Sequence, residues 1–147
     1  MQFATFHDLE DQSIFITGGG SGIGADLTKG FLSQGSKVTF IQRSNPEKFL
    51  IDCKGKYKHE PSFLECDVTN TKELKTALQR TAKKQGPISV LVNNAANDTR
   101  HSLGEFTSEQ WDKTMNVNLK PHFFAAQEVV EGMKKNGGGS IINFSSI

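Results

Sequence analysis

The chain has 147 residues, of which 35% are hydrophobic and 22% charged, and its formal net charge at pH 7 is +1. This length is typical of one domain, and the near-neutral charge excludes the basic surface with which proteins bind nucleic acids. No apolar run approaches the ~20 residues of a membrane-spanning helix, and the first residues lack the basic and apolar regions of a signal peptide. Neither the two cysteines, Cys53 and Cys66, nor the four histidines have the spacing of metal ligands. The sequence therefore predicts a soluble, cytoplasmic protein with free thiols and no metal site.

Short apolar runs alternate with helical patterns along the whole chain. The predicted strands are Ser13–Thr17, Lys37–Ile41, Ser62–Cys66, Ile88–Val92 and Ser140–Phe144. The apolar residues Ile23, Leu27 and Phe31 stand four apart, which predicts a first helix that ends at Gly35. The polar stretch from Asn45 to Lys58 shows neither a helical nor a strand pattern.

A second helix is predicted to begin at a capping box formed by Asn70 and Glu73. Its apolar face consists of Leu74, Leu78 and Ala82. Two lysines and then Gly86-Pro87 end it, because cations suit a helix C-terminus and proline cannot continue the helix.

A third helical region is predicted to begin at a capping box of Thr107 and Gln110, with Phe106 and Trp111 at the positions of a hydrophobic staple. It continues to the glycines that precede the last strand, with a break expected near Pro121. Because parallel strands need crossover connections, this alternation of strands and helices predicts an α/β fold with a doubly wound parallel sheet.

A glycine-rich segment, Thr17–Gly24 (TGGGSGIG), follows the first strand and opens the first helix. Its glycines allow a tight turn and a close approach of backbone N–H groups to a pyrophosphate, and the helix N-terminus attracts the same anion. The segment is not a P-loop, because no Gly-Lys-Ser/Thr follows it, and its G-x-x-x-G-x-G spacing also differs from G-x-G-x-x-G. The loop therefore predicts a nucleotide site.

Five motifs in chain order resemble those of one family. Besides TGGGSGIG they are Asp67-Val68, Asn93–Ala96 (NNAA), Asn116–Asn118 (NVN) and Ser140–Ile147 (SIINFSSI). Together they resemble the classical short-chain dehydrogenases/reductases, whose NNAG motif has glycine where this chain has Ala96. The resemblance implies a Rossmann fold and an NAD(P)-dependent oxidoreductase. Residues 1–147 would then be its dinucleotide-binding domain, incomplete at the C-terminus.

The resemblance also implies roles for individual residues. Asn118 maps to the catalytic asparagine, which holds a water in a proton relay. Ser146 maps to the catalytic serine, which hydrogen-bonds the reacting oxygen. The residues expected to bind the cofactor are Gly18, Ser21, Gly22, Ile23, Gly24, Gln42, Arg43, Asp67, Val68, Asn94, Ala95 and Ala96.

The end of the second strand decides between NAD and NADP. Gln42 stands where an acidic residue would bond the adenosine 2′-hydroxyl, and Arg43 follows it with a guanidinium that suits a 2′-phosphate. This pair favours NADP. Ser21 argues for NAD, because many NADP-using relatives have Lys or Arg at that position, so both cofactors stay open.

Within the family, Asn93–His101 (NNAANDTRH) and the later GGGSIINFSSI are similar to bacterial aldose 1-dehydrogenases such as xylose dehydrogenases. The polar residues from Asn97 to His101 offer hydrogen bonds to sugar hydroxyls, or else form an ordinary solvated loop. The expected substrate is a sugar or another polyol.

The general base of the family, a tyrosine in a Tyr-x-x-x-Lys motif beyond the serine, has no counterpart in these residues. The only tyrosine is Tyr57, and Pro61 stands four residues after it. We therefore expect a fragment or truncated product that is inactive alone. Its fifth strand would be an exposed edge that a homo-oligomer or another partner covers. The alternative is a non-catalytic module that binds a dinucleotide or a partner.

Overall fold

A computed structural model describes residues 4–145 of the chain. Its strands are β1 Ser13–Thr17, β2 Lys37–Gln42, β3 Ser62–Glu65, β4 Ile88–Asn93 and β5 Ser140–Asn143. Its helices are α1 Gly22–Ser33, α2 Glu47–Cys53, α3 Thr71–Gln85, α4 Ser108–Asn118 and α5 Lys120–Lys135. Short 3-10 turns lie at His7–Leu9 and Leu103–Glu105.

The five strands form one parallel sheet in the order β3-β2-β1-β4-β5. The strand order reverses at β1, where Thr17 pairs with Ile41 of β2 on one side and with Asn93 of β4 on the other. Such a reversal opens a crevice at the carboxyl ends of the strands, and ligands bind there in doubly wound folds. The predicted α/β architecture is confirmed.

The sheet separates two hydrophobic clusters. On one face Phe15 of β1 packs with residues of α3 and α5, including Leu74 and Val129. On the other face Ile16 of β1 packs with residues of α1 and α2, including Leu32. All of β1 is buried, because alternate side chains of a central strand point into opposite clusters.

The buried face of α1 differs from the predicted one. Ile23 is 64% exposed, whereas Gly24, Thr28 and Leu32 are buried. The cause is a close approach of α1 to the preceding turn, where the Thr28 hydroxyl donates a hydrogen bond to the carbonyl of Gly19 at 2.8 Å. A pattern of large apolar residues does not reveal a face that begins with glycine and threonine.

Helix α2 lies in the polar stretch from Asn45 to Lys58, where the sequence pattern predicted no element. Its Phe49 ring packs edge-on against Phe40, with ring centroids 5.6 Å apart, and Cys53 is buried. Asp52 forms an ion pair with Lys29 of α1 at 2.6 Å. With seven residues, α2 is too short for an amphipathic period to stand out in the sequence.

The predicted break near Pro121 is confirmed, because Pro121 lies in the first turn of α5 and one residue with φ −127° separates α4 from α5. Proline has no N–H group to continue the helical hydrogen bonds. At the start of α4, Thr107 and Gln110 form the predicted reciprocal capping box. The rings of Phe106 and Trp111 pack edge-on, with centroids 6.3 Å apart.

Strand β5 forms one edge of the described sheet, as predicted. Its residues Ile141 and Ile142 are 39% and 41% exposed, and Phe144 just after it is 37% exposed. Within residues 4–145, no helix has the length and apolar character to cross a bilayer. In the same part of the chain, no three His, Cys, Asp or Glu side chains come together as a metal site.

Candidate functional site

A cleft of about 960 Å³ opens at the carboxyl ends of β1–β4, with α4 along one side. The residues predicted to bind a cofactor that line it are Gly18, Ser21, Ile23, Gly24, Gln42, Arg43, Asp67, Val68, Asn94, Ala95 and Ala96. Gly22 belongs to the same turn but does not line the cleft. Sequence reasoning missed the residues from α4, of which Glu109, Asp112, Lys113 and Asn116 line the cleft. Their spacing of three and four residues was the available signal.

The glycine turn leaves no room for a side chain at Gly24. Gly18 has φ +71°, and a Cβ on Gly24 would lie 1.9 Å from the carbonyl oxygen of Gly18, so no side chain fits there. Ser21 precedes α1 without a side-chain cap, which leaves the N–H groups of the first helical turn without that partner. The turn and the helix N-terminus together offer N–H groups to an anion.

Thr17 and Asn94 hold the turn against the end of β4. The Thr17 hydroxyl accepts hydrogen bonds from the backbone N–H groups of Asn94 and Ala95, both at 2.9 Å. The side-chain Nδ2 of Asn94 donates to the carbonyls of Thr17 at 3.1 Å and Gly18 at 3.2 Å. Asn94 is therefore bound to the turn itself. The sequence analysis did not identify Thr17 as a site residue, although its hydroxyl stands at the last position of β1, directly before the glycines.

Gln42 is bound inside the protein at both ends of its amide. Its Oε1 accepts a hydrogen bond from the N–H of Gly20 at 3.0 Å, and its Nε2 donates to the carbonyl of Ser44 at 2.8 Å. These bonds connect the glycine turn to the loop after β2. The adjacent Arg43 lines the cleft, exposed to solvent.

Asp67 follows β3 and lines the same cleft. Its Oδ1 accepts hydrogen bonds from the backbone N–H of Thr69 at 2.9 Å and from the Thr69 hydroxyl at 2.8 Å. The backbone bond from Thr69, aided by the positive charge of Arg43, lowers the pKa of Asp67. The carboxylate is therefore charged, and its Oδ2 has no hydrogen-bond partner among the described residues.

Asn118 lies behind the cleft rather than in its wall. Its Oδ1 accepts a hydrogen bond from the N–H of Asn97, and its Nδ2 donates to the Asn97 carbonyl, both at 2.8 Å. Asn97 in turn lines the cleft. The amide of Asn118 is thus occupied by one backbone unit. The role of Asn118 in holding a water stays a prediction.

The family model described as short chain dehydrogenase matches residues 12–147. The chain belongs to the short chain dehydrogenase family. The resemblance drawn from the five motifs is confirmed, and the enzymes of this family are oxidoreductases that use NAD or NADP.

Three proteins illustrate what this short chain dehydrogenase is similar to. "Probable galactose dehydrogenase GalD" of Rhizobium meliloti is 42% identical over 145 residues, covering 97% of this chain and 56% of that protein. D-xylose 1-dehydrogenase of Caulobacter vibrioides is 40% identical over 148 residues, covering 100% and 58%. The ligand-free aldohexose dehydrogenase of Thermoplasma acidophilum has a TM-score of 0.82 and 32% identity, covering 96% and 51%. The chain spans between half and three fifths of the length of these relatives.

The predicted catalytic serine, Ser146, lies outside the described residues. Strand β5, which precedes it in the chain, pairs with β4 in parallel. The carboxyl end of β5 is therefore on the same side of the sheet as the cleft. The role of Ser146 in the family reaction stays a prediction.

His101, in the polar loop after β4, has its ring held by two neighbours. Oε1 of Gln110 accepts a hydrogen bond from the backbone N–H of Thr107 at 2.7 Å. The other end of the Gln110 amide, Nε2, therefore faces Nδ1 of His101 at 3.3 Å. Because an amide nitrogen only donates, Nδ1 is the acceptor, and in the neutral ring the proton lies on Nε2. The ring also packs on Phe106, with centroids 5.0 Å apart. His101 therefore offers an N–H donor at this end of the loop.

Proposed function

We propose that this chain binds NAD or NADP in the cleft, and that the complete protein oxidises a sugar or other polyol with it. The supporting observation is the turn from Gly18 to Gly24, in which a Cβ at Gly24 would lie 1.9 Å from a backbone oxygen. Such a turn below a helix N-terminus brings backbone N–H groups within reach of a pyrophosphate. The cleft volume of about 960 Å³ also fits a ligand as large as a dinucleotide.

Gly22 offers a sharp test of where the pyrophosphate binds. It has φ +49°, and a Cβ there would meet no other atom within 4 Å. Asparagine and aspartate both tolerate such a conformation and have the same shape. We expect Gly22→Asp to bind the dinucleotide about tenfold more weakly than Gly22→Asn, because its charge repels the pyrophosphate. Equal affinities of the two variants in calorimetric titrations would reject this placement.

In this proposal, different residues of the cleft bind different parts of the cofactor. The turn from Gly18 to Gly24 binds the pyrophosphate, Asp67 and Val68 contact the adenine, and Asn94–Ala96 line the ribose and nicotinamide side. When bound, the nicotinamide supplies the redox chemistry by taking a hydride from a carbinol carbon. Ser146 hydrogen-bonds the oxygen of that carbon.

Asn118 contributes through its backbone in this proposal. Within the described residues, no backbone N–H donates to the Asn118 carbonyl, since Pro121 has none and the N–H of His122 goes to Leu119. This carbonyl is the atom that holds the water of the proton relay. The side chain of Asn118 fixes the loop at Asn97.

The proton acceptor of the reaction is not among these 147 residues. Tyr57 packs against the cluster of α1 and α2, away from the cleft residues. We therefore expect the 147 residues alone to bind the dinucleotide and to turn over slowly or not at all. The alternative is a non-catalytic dinucleotide-binding or partner-binding module derived from the same family, against which the presence of Asn118 and Ser146 counts. The intact mass of the native protein, compared with that of 147 residues, separates the two.

NADP is the preferred cofactor in our proposal. Gln42 carries no charge that would repel a 2′-phosphate, and its bonds to Gly20 and Ser44 hold its amide against the glycine turn. Arg43 lines the cleft beside it with a cation suited to a 2′-phosphate.

The proposed substrate is an aldose. It rests on the names of the galactose, xylose and aldohexose dehydrogenases to which the chain is similar. The polar loop from Asn97 to His101, with its oriented His101 donor, offers hydrogen bonds to sugar hydroxyls. A panel of aldoses assayed with both cofactors tests this directly, and activity on none of them would reject it.

We further propose a reducing, cytoplasmic compartment, because Cys53 and Cys66 are buried free thiols. The exposed edge of β5 is expected to be covered by another polypeptide, either a second copy or further sequence.

A further inference from the structure

The side chain of Gln42 joins two separate parts of the cleft wall. Gln42 is the last residue of β2, and its Oε1 accepts a hydrogen bond from the backbone N–H of Gly20 at 3.0 Å. Its Nε2 donates to the carbonyl of Ser44 at 2.8 Å. Because an N–H group only donates and a carbonyl only accepts, these two partners together fix the orientation of the amide. One side chain therefore contacts both the glycine turn and the loop after β2.

The glycine turn packs directly on this part of β2. A Cβ on Gly19 would collide with the side chain of Phe40, and a Cβ on Gly20 would collide with the amide of Gln42. Phe40 and Gln42 are two positions apart, so their side chains lie on the same face of the strand. Phe40 gives the turn an apolar contact, and Gln42 supplies the acceptor for the Gly20 N–H. An apolar side chain at position 42 would leave this N–H without that acceptor.

The second bond of Gln42 holds the loop that carries Arg43. Arg43 lies between Gln42 and Ser44 in the chain, and all three residues line the cleft. The bond from Nε2 to the Ser44 carbonyl closes a short loop around Arg43. Because the Arg43 side chain is long and exposed, its position over the cleft depends on where this backbone holds it.

We propose that Gln42 is a positioning residue for the cofactor, which fixes the glycine turn through Oε1 and the Arg43 loop through Nε2. This inference rests on the proposed dinucleotide site. An acidic residue at this position would bond the ribose itself, whereas Gln42 acts through Gly20 and Ser44. Hydrogen bonds that exist before the ligand binds reduce the ordering cost of binding. Loss of the amide therefore weakens every ligand that carries a pyrophosphate, and it weakens NADP further through Arg43.

Calorimetric titration of the complete protein with ADP and with 2′-deoxyadenosine diphosphate tests the contact with the turn. Gln42→Met keeps the length of the side chain and removes both hydrogen bonds. We expect both probes to bind about fivefold more weakly to this variant than to the wild type, because neither contact of Gln42 involves the ribose. A loss for ADP alone would make Gln42 a ligand of the 2′-hydroxyl and overturn the proposal. Unchanged affinity for both probes would overturn it as well.

Gln12→Met is the matched control. Gln12 is half-buried like Gln42 and accepts a hydrogen bond from the Ser89 hydroxyl at 2.6 Å, but it does not line the cleft. We expect Gln12→Met to bind both probes as the wild type does. In the ligand-free protein, amide hydrogen exchange at Gly20 should become faster in Gln42→Met only. Equal losses of affinity in the two methionine variants would indicate general destabilisation and reject the positioning role.

A double-mutant cycle with Arg43→Ala tests the contact with the loop. We expect Arg43→Ala to weaken NADP binding about tenfold in the wild type but only about twofold in Gln42→Met, where the loop is no longer held. An equal cost in both backgrounds would show that Gln42 does not position Arg43. If the wild type binds neither ADP nor NADP, the proposed dinucleotide site itself fails. If the wild type binds both and Gln42→Met binds them equally well, only the positioning role fails.

Discussion

Asn118 and Asn97 are joined by a pair of hydrogen bonds, each 2.8 Å long, between the side-chain amide of one and the backbone of the other. The two residues are 21 positions apart in the chain, at the end of α4 and in the loop after β4. Because this pair uses both ends of the amide, it fixes the loop that carries Asn97 into the cleft. The side chain of Asn118 therefore has a structural role, because it holds the loop after β4 to the end of α4.

The first prediction concerns this pair. Asn118→Asp replaces the donor Nδ2 by an oxygen that faces the Asn97 carbonyl, so one hydrogen bond becomes a repulsion. We expect the free energy of unfolding to fall by about 1–2 kcal/mol, measured by urea denaturation at neutral pH. Asn45→Asp, at an exposed position outside the cleft, controls for the added charge. Equal stability of the two variants would show that the pair does not hold the loop.

The second prediction concerns the choice of cofactor. Arg43→Ala removes the cation that lines the cleft beside Gln42, and we expect NADP affinity to fall about tenfold with little change for NAD. Arg80→Ala removes the same charge from an exposed position on α3 that does not line the cleft. Calorimetric titration of both variants with both cofactors measures the ratio. If Arg43→Ala leaves NADP binding unchanged, the assignment of Arg43 to a 2′-phosphate is wrong.

The strands of the fold could be read from the sequence because each is a short apolar run between punctuating glycines, prolines or polar residues. The face of α1 could not, since Gly24 and Thr28 are buried by a close approach that only the packed turn defines. Helix α2 was equally hidden, because what it buries depends on the distant ring of Phe40.

The sequence likewise predicted one part of the candidate site and missed another. Motif resemblance identified the residues of its wall, which nearly all line one cleft. It did not identify the contacts that hold the wall in place. Thr17 binds Asn94 across 77 positions of sequence, and Gln42 turns inward to Gly20 rather than outward to a ligand. Such contacts join separate segments, so no local periodicity records them.

The third prediction concerns acid stability and Asp11. Hydrogen bonds from Lys58 and then His59 lower the pKa of Asp11 to about 2 from 3.8. A lowered folded-state pKa contributes stability above the unfolded-state value, and that contribution is lost as the pH falls from about 4 through 2. We expect Asp11→Asn to make the free energy of unfolding less dependent on pH in this window.

Asparagine is suited to this test because Asp11 has φ +59°, which asparagine tolerates. The control is Asp98→Asn, which removes an exposed carboxylate of the loop after β4 that takes no part in the contacts of Asp11. Urea denaturation at several pH values gives both slopes. A wild-type slope in Asp11→Asn would show that the contacts of Asp11 with Lys58 and His59 do not stabilise the fold.

The last prediction concerns the two thiols. Burial raises the pKa of Cys66, which lines the cleft, to about 11, and burial also raises the pKa of Cys53. The thiolate is the reactive form, so both cysteines should remain unmodified by iodoacetamide at pH 8 while the protein is folded. In urea both should react within minutes, and mass spectrometry of the labelled protein counts the adducts. Rapid labelling of Cys66 in the folded state would mean that the floor of the cleft opens to solvent. In that case a bound dinucleotide should slow the labelling of Cys66 and leave that of Cys53 unaffected.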